Sequence, residues 1–259
     1  MVSCVWCTAE RAGKAVYLAD VLDLPLMVDA PVGDCETIHV VGLADPPGYP
    51  HTNACTARAK RRVYYWTASD ATRLYEPERL ADGLHLCEIE TAKMLLQKRG
   101  FDAGVIPWPV SPTFDLMPLP DKPKVSAYLG DAPFDFCSEV ISSIKMALEA
   151  DGVELEAYTE SGTSPERLAD IVATTSVHLR LSDFETDMHS ARQFLAAGRR
   201  VVCNNQLEYA EVVRQDDLPA LLRAVRKLLA ETQPFEEASA YWSERNEEDW
   251  FRARLEEIL

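Results

Sequence analysis

Residues 176–205, SVHLRLSDFETDMHSARQFLAAGRRVVCNN, gather side chains that could do chemistry. Arg180 interrupts an apolar, strand-like run, and arginine is seldom fully buried without a partner. It calls for a carboxylate of the fold or the phosphate of a ligand. Glu185 follows in a short acidic loop with Asp187, Met188 and His189, and a helical run then carries Arg192 and Gln193 to Gly198. A helix that starts directly after a strand offers free backbone N–H groups and a partial positive charge, which suit an anion. Asp187 opposes an anion there unless it caps the helix. Gly198 is read as a helix end, which needs no ligand.

A second set lies in the first half of the chain. Ser69 and Asp70 follow the apolar run VYYWTA. Asp70 either caps the next segment or serves as a base toward a hydroxyl group. Arg58, Lys60, Arg61 and Arg62 form a basic run, read as a solvated helix face or a local anion site. Cys4-x-x-Cys7 lies within the first strand rather than at a strand–helix junction, so redox chemistry is not expected of it. His178 and His189 are read as structural or solvent-facing, and the cysteine and histidine spacing contains no second pair suited to zinc. No metal site is expected.

Alternating apolar and amphipathic segments position these residues, and they imply parallel α/β units. MVSCVW, LPLMVD, TIHVVGL and VYYWTA read as strands. TAERAGKAVYLADVL, with Thr8 as cap, and CEIETAKMLLQKRG, closed by Gly100, read as helices. Six prolines between 107 and 123 preclude helix and central strand, and they predict a semi-rigid connection. Beyond it the rhythm repeats. KVSAYLG, VELEAYT, VHLRLS and RRVVCN read as strands. FCSEVISSIKMALEADG, SPERLADIVAT (Ser164 as cap, Pro165 in the first turn), DMHSARQFLAAG and DLPALLRAVRKLLAE read as helices. The expected organisation is a domain over 1–110, a linker over 111–123, a second domain over 124–235 and a terminal helix over 236–259. Trp242, Trp250, Phe251 and Leu255 give that last helix an apolar side that packs back across the domains. In doubly wound sheets ligands sit outside the carboxyl ends of the strands, and here that edge is expected to face a cleft.

Bulk properties narrow the function. The chain has 259 residues, 47% hydrophobic and 26% charged, with net charge −16. Residues 1–110 hold 11 Lys/Arg against 14 Asp/Glu, and residues 111–259 hold 15 against 28. Such acidity argues against general nucleic-acid or membrane binding, while the first half keeps a local anionic partner open. Seven cysteines in mostly apolar contexts read as reduced, buried thiols. No run of about 18 apolar residues and no signal-like N-terminus is read, so no membrane span and a cytoplasmic location are expected.

Several phrases resemble a GT-B fold glycosyltransferase of the large retaining group that uses nucleotide sugars. VYYWTASDATRL is similar to a strand end found in some of these enzymes, and LLQKRGFDAGVIPWPV to the segment that leads out of their first domain. KVSAYLGD is similar to the first strand of the second domain, and SVHLRLSDFETDMHSARQFLAAGRRVV to the nucleotide-sugar unit. The resemblance covers most of the chain as a pattern and is specific in its last segment. It implies two Rossmann-like doubly wound domains facing a cleft, with the donor in the second domain.

Under that resemblance Glu185 lies near the donor sugar, and position 193 holds the ribose hydroxyls. Position 193 is Gln where the family has Glu, so its amide would bond the diol without charge assistance. The loop GDAPFDFCSE lacks the family's phosphate-binding Arg and Lys, leaving Arg180, and more weakly Arg192. Gly13 stands alone where the family has a glycine-rich loop. The implied roles are catalytic for Glu185 and Asp70, and donor-binding for Arg180, Gln193, Asp187, Met188 and His189. Ser69, Arg58, Arg61 and Arg62 fall on the acceptor side. No cofactor is implied beyond a nucleotide sugar, most simply a UDP-sugar, as co-substrate. The acceptor is a hydroxyl, which includes a hydroxymethylated base in DNA. Two alternatives stand beside sugar transfer: a non-catalytic binding module of this fold, and a sugar-nucleotide epimerase.

Overall fold

The computed structural model describes residues 3–8, 12–30, 33–42, 44–45, 49–50, 58–66, 82–88, 90–110, 112–130, 137–159, 163–182 and 188–259. Two compact units emerge: residues 1–108, 185–187 and 248–259 in the first, and 109–184 and 188–247 in the second. Among the described residues no helix is long and apolar enough to cross a membrane.

In the first unit the strands of the main sheet are β1 (Cys4–Cys7), β2 (Leu26–Val28), β3 (Cys35–Val41), β6 (Ala59–Trp66), β7 (Leu84–Cys87) and β8 (Ala103–Val105). They pair in the order β2-β1-β3-β6-β7-β8, every pair parallel. A separate antiparallel pair joins β4 (Ala44–Asp45) and β5 (Tyr49–Pro50). One face of the main sheet is covered by α1 (Ala12–Leu22) and α8 (Glu248–Ile258), through Ala15, Leu18, Phe251 and Leu255. The other is covered by α2 (Glu90–Lys98), through Ala92 and Leu96 over Trp6, Tyr64 and Trp66. Burial on both faces explains why β1 and the end of β6 read as unbroken apolar runs rather than alternating ones.

In the second unit β9 (Lys124–Tyr128), β10 (Glu154–Tyr158), β11 (Val177–Arg180), β12 (Arg200–Cys203) and β13 (Glu211–Val212) form a parallel sheet in the order β10-β9-β11-β12-β13. The helices are α3 (Ser138–Ala150), α4 (Pro165–Thr174), α5 (His189–Ala196), α6 (Leu218–Leu229) and α7 (Glu236–Arg245). α3 and α6 cover one face over Val125, Leu179 and Val202. α4, α5 and α7 cover the other over Tyr128, Tyr158 and Cys203. α4 starts as its sequence directs: Ser164 Oγ accepts from the Arg167 N–H at 3.2 Å, with Pro165 in the first turn.

Local reading and structure differ at definite places. The basic run, read as a helix face, belongs to strand β6. Leu84–Cys87, not read as a strand, forms β7 because Leu86 and Cys87 are enclosed between layers. Residues 236–259 form two helices broken at Asn246–Glu247, of which α7 packs in the second unit and α8 in the first. The proline segment packs in the second unit. Phe114 is in its core, and the Met117 N–H donates to the Ala197 carbonyl at 3.2 Å.

A fully buried arginine holds that segment. Arg199 donates to four backbone carbonyls: Val172 (2.9 Å), Ala173 (3.2 Å), Met117 (3.3 Å) and Pro118 (2.8 Å). Burial lowers its pKa to about 10. One side chain thus satisfies carbonyls at the end of α4 and in a stretch whose prolines cannot donate. Gly198 precedes it with φ 75°, in the left-handed region that favours glycine.

Candidate functional site

The second sheet reverses its winding between β9 and β11, because β10 lies on one side of β9 while β11 and β12 lie on the other. At such a switch point the loops leaving two adjacent strands part to opposite faces and open a crevice at the carboxyl edge. β9 ends there at Tyr128 and β11 at Arg180.

The Arg180 guanidinium carbon lies 4.5 Å from the Tyr128 ring centroid, and Nη1 donates to the Leu181 carbonyl at 3.4 Å. The residue is 4% exposed. Its charge acts on neighbours: His178 is held well below the usual histidine range, first by complete burial and then by Arg180. Burial pushes the Cys203 thiol up to about 12, with Arg180 as a smaller opposing influence.

Two helices begin at this edge, one on each face. α3 starts at Cys137 with φ 56° and α5 at Met188 with φ 52°, and neither start has a side-chain cap. Non-glycine residues in the left-handed region cost roughly 1–3 kcal/mol each and persist only where the surroundings hold them. Here Met188 is fully buried, Asn205 Nδ2 approaches its sulfur at 4.0 Å, and Ser190 in the first turn of α5 lies 3.4 Å from His178 Nε2. His178 Nδ1 in turn meets Ser126 Oγ at 2.9 Å, across the register that pairs the two residues.

A chain of amides braces the strand ends. Arg180 is level with Cys203 in the β11–β12 pairing, so Asn204 stands just beyond the ladder. Its side chain accepts from the Ser182 N–H at 3.0 Å and donates to the Ser182 carbonyl at 2.6 Å, imitating a further rung. Asn204 Nδ2 also donates to Gln215 Oε1 at 2.6 Å, which accepts from Cys137 Sγ at 3.4 Å. Segments following β9, β11, β12 and β13 are thereby joined. The sequence reading missed Tyr128, Cys137, Asn204 and Gln215. The only signal was polar residues just after short apolar strands, as in VVCNN.

Not every expected residue is brought to this edge. Arg180, Met188 and half-buried His189 are. Gln193 lies inside the packing of α5, where its Nε2 donates to the Pro112 carbonyl at 3.1 Å. Arg192, read as a weaker phosphate candidate, is buried with its guanidinium 5.0 Å from the Trp242 centroid and bonded to Asn246 Oδ1 at 2.9 Å. Glu185, Asp187, Ser69 and Asp70 lie outside the described residues. Arg61 and Arg62 lie at the amino end of β6, with Arg58 just before it, the opposite end from the strand's carboxyl end at Trp66. Arg61 donates to the Leu259 carbonyl at 2.7 Å, and Lys60 pairs with Glu36 at 2.9 Å. The described residues contain no group of three or more His, Cys, Asp or Glu that could hold a metal ion.

No protein-family model and no curated protein matches the chain in sequence. Solved structures do match in fold. The lipopolysaccharide outer core galactosyltransferase WaaB, in its apo form, aligns with TM-score 0.65 and 9% identity over 99% of this chain and 98% of its own. An alpha-glucosyltransferase in complex with UDP and a 13-mer DNA containing a HMU base aligns with TM-score 0.53 and 8% identity over 99% of each chain. TarM aligns with TM-score 0.56 and 9% identity over 86% of this chain, which spans 54% of the TarM structure. Two parallel, doubly wound sheets with helices on both faces, matched along nearly the whole length of two of these structures, give this chain the GT-B fold of glycosyltransferases.

Proposed function

We propose that the chain transfers a sugar from a nucleotide-sugar donor, most simply a UDP-sugar, to a hydroxyl acceptor, and that the donor's diphosphate binds at the carboxyl edge of the second sheet. The observation that carries this reading is Arg180, stacked on Tyr128 at the carboxyl edge of the sheet where two helices start, at Cys137 and Met188. A helix N-terminus, with its partial positive charge, and a fixed guanidinium suit an anion. The same groups stabilise charge that grows on the diphosphate as the sugar bond breaks, without reorganising at that moment. The neighbour holding UDP supports the choice of nucleotide.

In this reading Arg180 and the backbone of Met188 and His189 hold the diphosphate, and Glu185 stands near the donor sugar. Gln193 serves the fold, since its amide holds Pro112. Ser69 and Asp70 serve the acceptor in the first unit. The acceptor is a small hydroxyl compound rather than DNA. The net charge is −16, and Arg58 and Arg61 lie at the far end of a strand roughly 23 Å long. DNA binding that strengthens steeply at low salt and is lost on Arg61→Ala with Arg62→Ala would count against that choice.

The test is turnover of a panel of nucleotide sugars, followed as release of the free nucleoside diphosphate. The expected result is turnover of at least one donor, abolished by Glu185→Ala and lowered at least about tenfold by Arg180→Ala. A folded protein that turns over none of them contradicts the reading.

A further inference from the structure

The first unit holds a polar group that the donor reading does not use. Glu88 follows β7 directly, at the carboxyl edge of the six-stranded sheet, and Lys14 lies in the first turn of α1. Their ammonium and carboxylate form an ion pair. The Glu88 side chain is 2% exposed, and that of Lys14 is 25% exposed. Lys14 Nζ is 5.9 Å from the centroid of the Trp108 ring. Tyr17, one turn along α1, packs on the same indole at 6.2 Å. Its buried hydroxyl oxygen has no hydrogen-bond partner among the described residues, and burial pushes its pKa up to about 12, so it stays protonated.

Packing does not account for this arrangement. An enclosed ion pair is close to neutral for stability when compared with apolar side chains of the same volume, and a buried hydroxyl without a partner is unfavourable. Both stand at or near the edge where parallel sheets take ligands. Glu88 is enclosed and fixes the lysine, while Lys14 is the partner that solvent reaches.

We propose that Lys14 is an acceptor-binding residue positioned by Glu88, and that the acceptor it takes is a neutral, hydroxyl-rich molecule of the pyranoside class. A phosphate approaching Lys14 also meets the field of the Glu88 carboxylate beside it. A sugar hydroxyl or ring oxygen accepts from the ammonium without that repulsion, and the Tyr17 phenol bonds a second oxygen. The name acceptor rests on the sugar-transfer reading, but the binding is measurable without a donor.

The experiment is saturation-transfer NMR with methyl α-D-glucopyranoside and methyl α-D-galactopyranoside, run beside a UDP titration and a thermal melt of each variant. The wild type is expected to bind at least one pyranoside. Lys14→Ala weakens that binding at least about tenfold, Lys14→Arg restores most of it, and Glu88→Gln weakens it although Lys14 is intact. If Lys14→Ala melts abnormally, Tyr17→Phe repeats the test with the ion pair retained, and a loss of several-fold is expected. Pyranoside binding that is absent in the wild type, or equal in wild type, Lys14→Ala and Tyr17→Phe, overturns the proposal. Competition by a 13-mer DNA containing 5-hydroxymethyluracil, stronger than by either pyranoside, overturns the neutral class. A wild type that binds UDP but no pyranoside defeats this inference alone. One that binds a pyranoside but no UDP supports the site and defeats the donor reading.

Discussion

Arg180 and Arg199 are both buried, but they are held by different partners. Arg199 has four backbone carbonyls around it and belongs to the fold. Replacing it by Met keeps apolar volume and leaves those carbonyls without their donor. The expected loss is about 3–5 kcal/mol, read as a lower urea midpoint with an unchanged slope. Arg180 stacks on Tyr128 and also bonds the Leu181 carbonyl, at the end of its strand. At this scale Arg180 was legible in the sequence, because a charge in the middle of an apolar run is conspicuous. Arg199 was not, since its partners are backbone atoms in α4 and in the proline segment, and backbone carbonyls leave no trace in sequence. Gln193 shows what spacing alone does not reveal. Its spacing from Glu185 suggested a ligand, while the position is filled by a tie to Pro112 that only the fold reveals.

Asn204 works at the level of elements, extending the β11–β12 pairing by a rung made of side chain and bracing the segment after β13 through Gln215. Asn204→Ala removes the acceptor of the Ser182 N–H. Exchange of that amide with solvent is expected to quicken by roughly tenfold or more, while amides in the middle of β9 keep their protection. Equal exchange in variant and wild type would mean that the rung contributes nothing. Long strands and helices with one apolar face were readable in advance, α4 down to its Ser164 cap. Two strands were not: β7, with four residues, and β13, with two, show no period of their own, and both exist because neighbouring strands supply the ladder. The basic run of β6 was misread for a related reason: its charged residues lie at the exposed amino end of a strand whose other half is fully enclosed.

Each of the two units also buries a histidine that acid should oppose. His39 in the first, bonded to the Tyr65 hydroxyl at 3.0 Å, is lowered to about 4 by burial and then by the charge of Arg61. His178 in the second is lowered well below its ordinary value, again by burial first. A histidine lowered in the folded state stays neutral there while the unfolded chain binds a proton. Stability is therefore complete above the unfolded value near 6.5 and declines as pH falls from there toward 4. The slope is up to about 1.4 kcal/mol per pH unit for each histidine. Urea unfolding at pH 7, 6 and 5 measures it, and a flat profile would show that these rings are not held neutral. The fold class was legible because alternating strands and helices recur through both halves of the sequence. The site was only half legible, because a switch point is a property of strand order and no local stretch encodes it. The central claim is that this switch point binds a nucleoside diphosphate, and isothermal titration of UDP into the folded protein tests it most directly. The account predicts saturable binding that weakens at least about tenfold in Arg180→Ala. No binding of UDP or of any other nucleoside diphosphate by the folded wild type would contradict it.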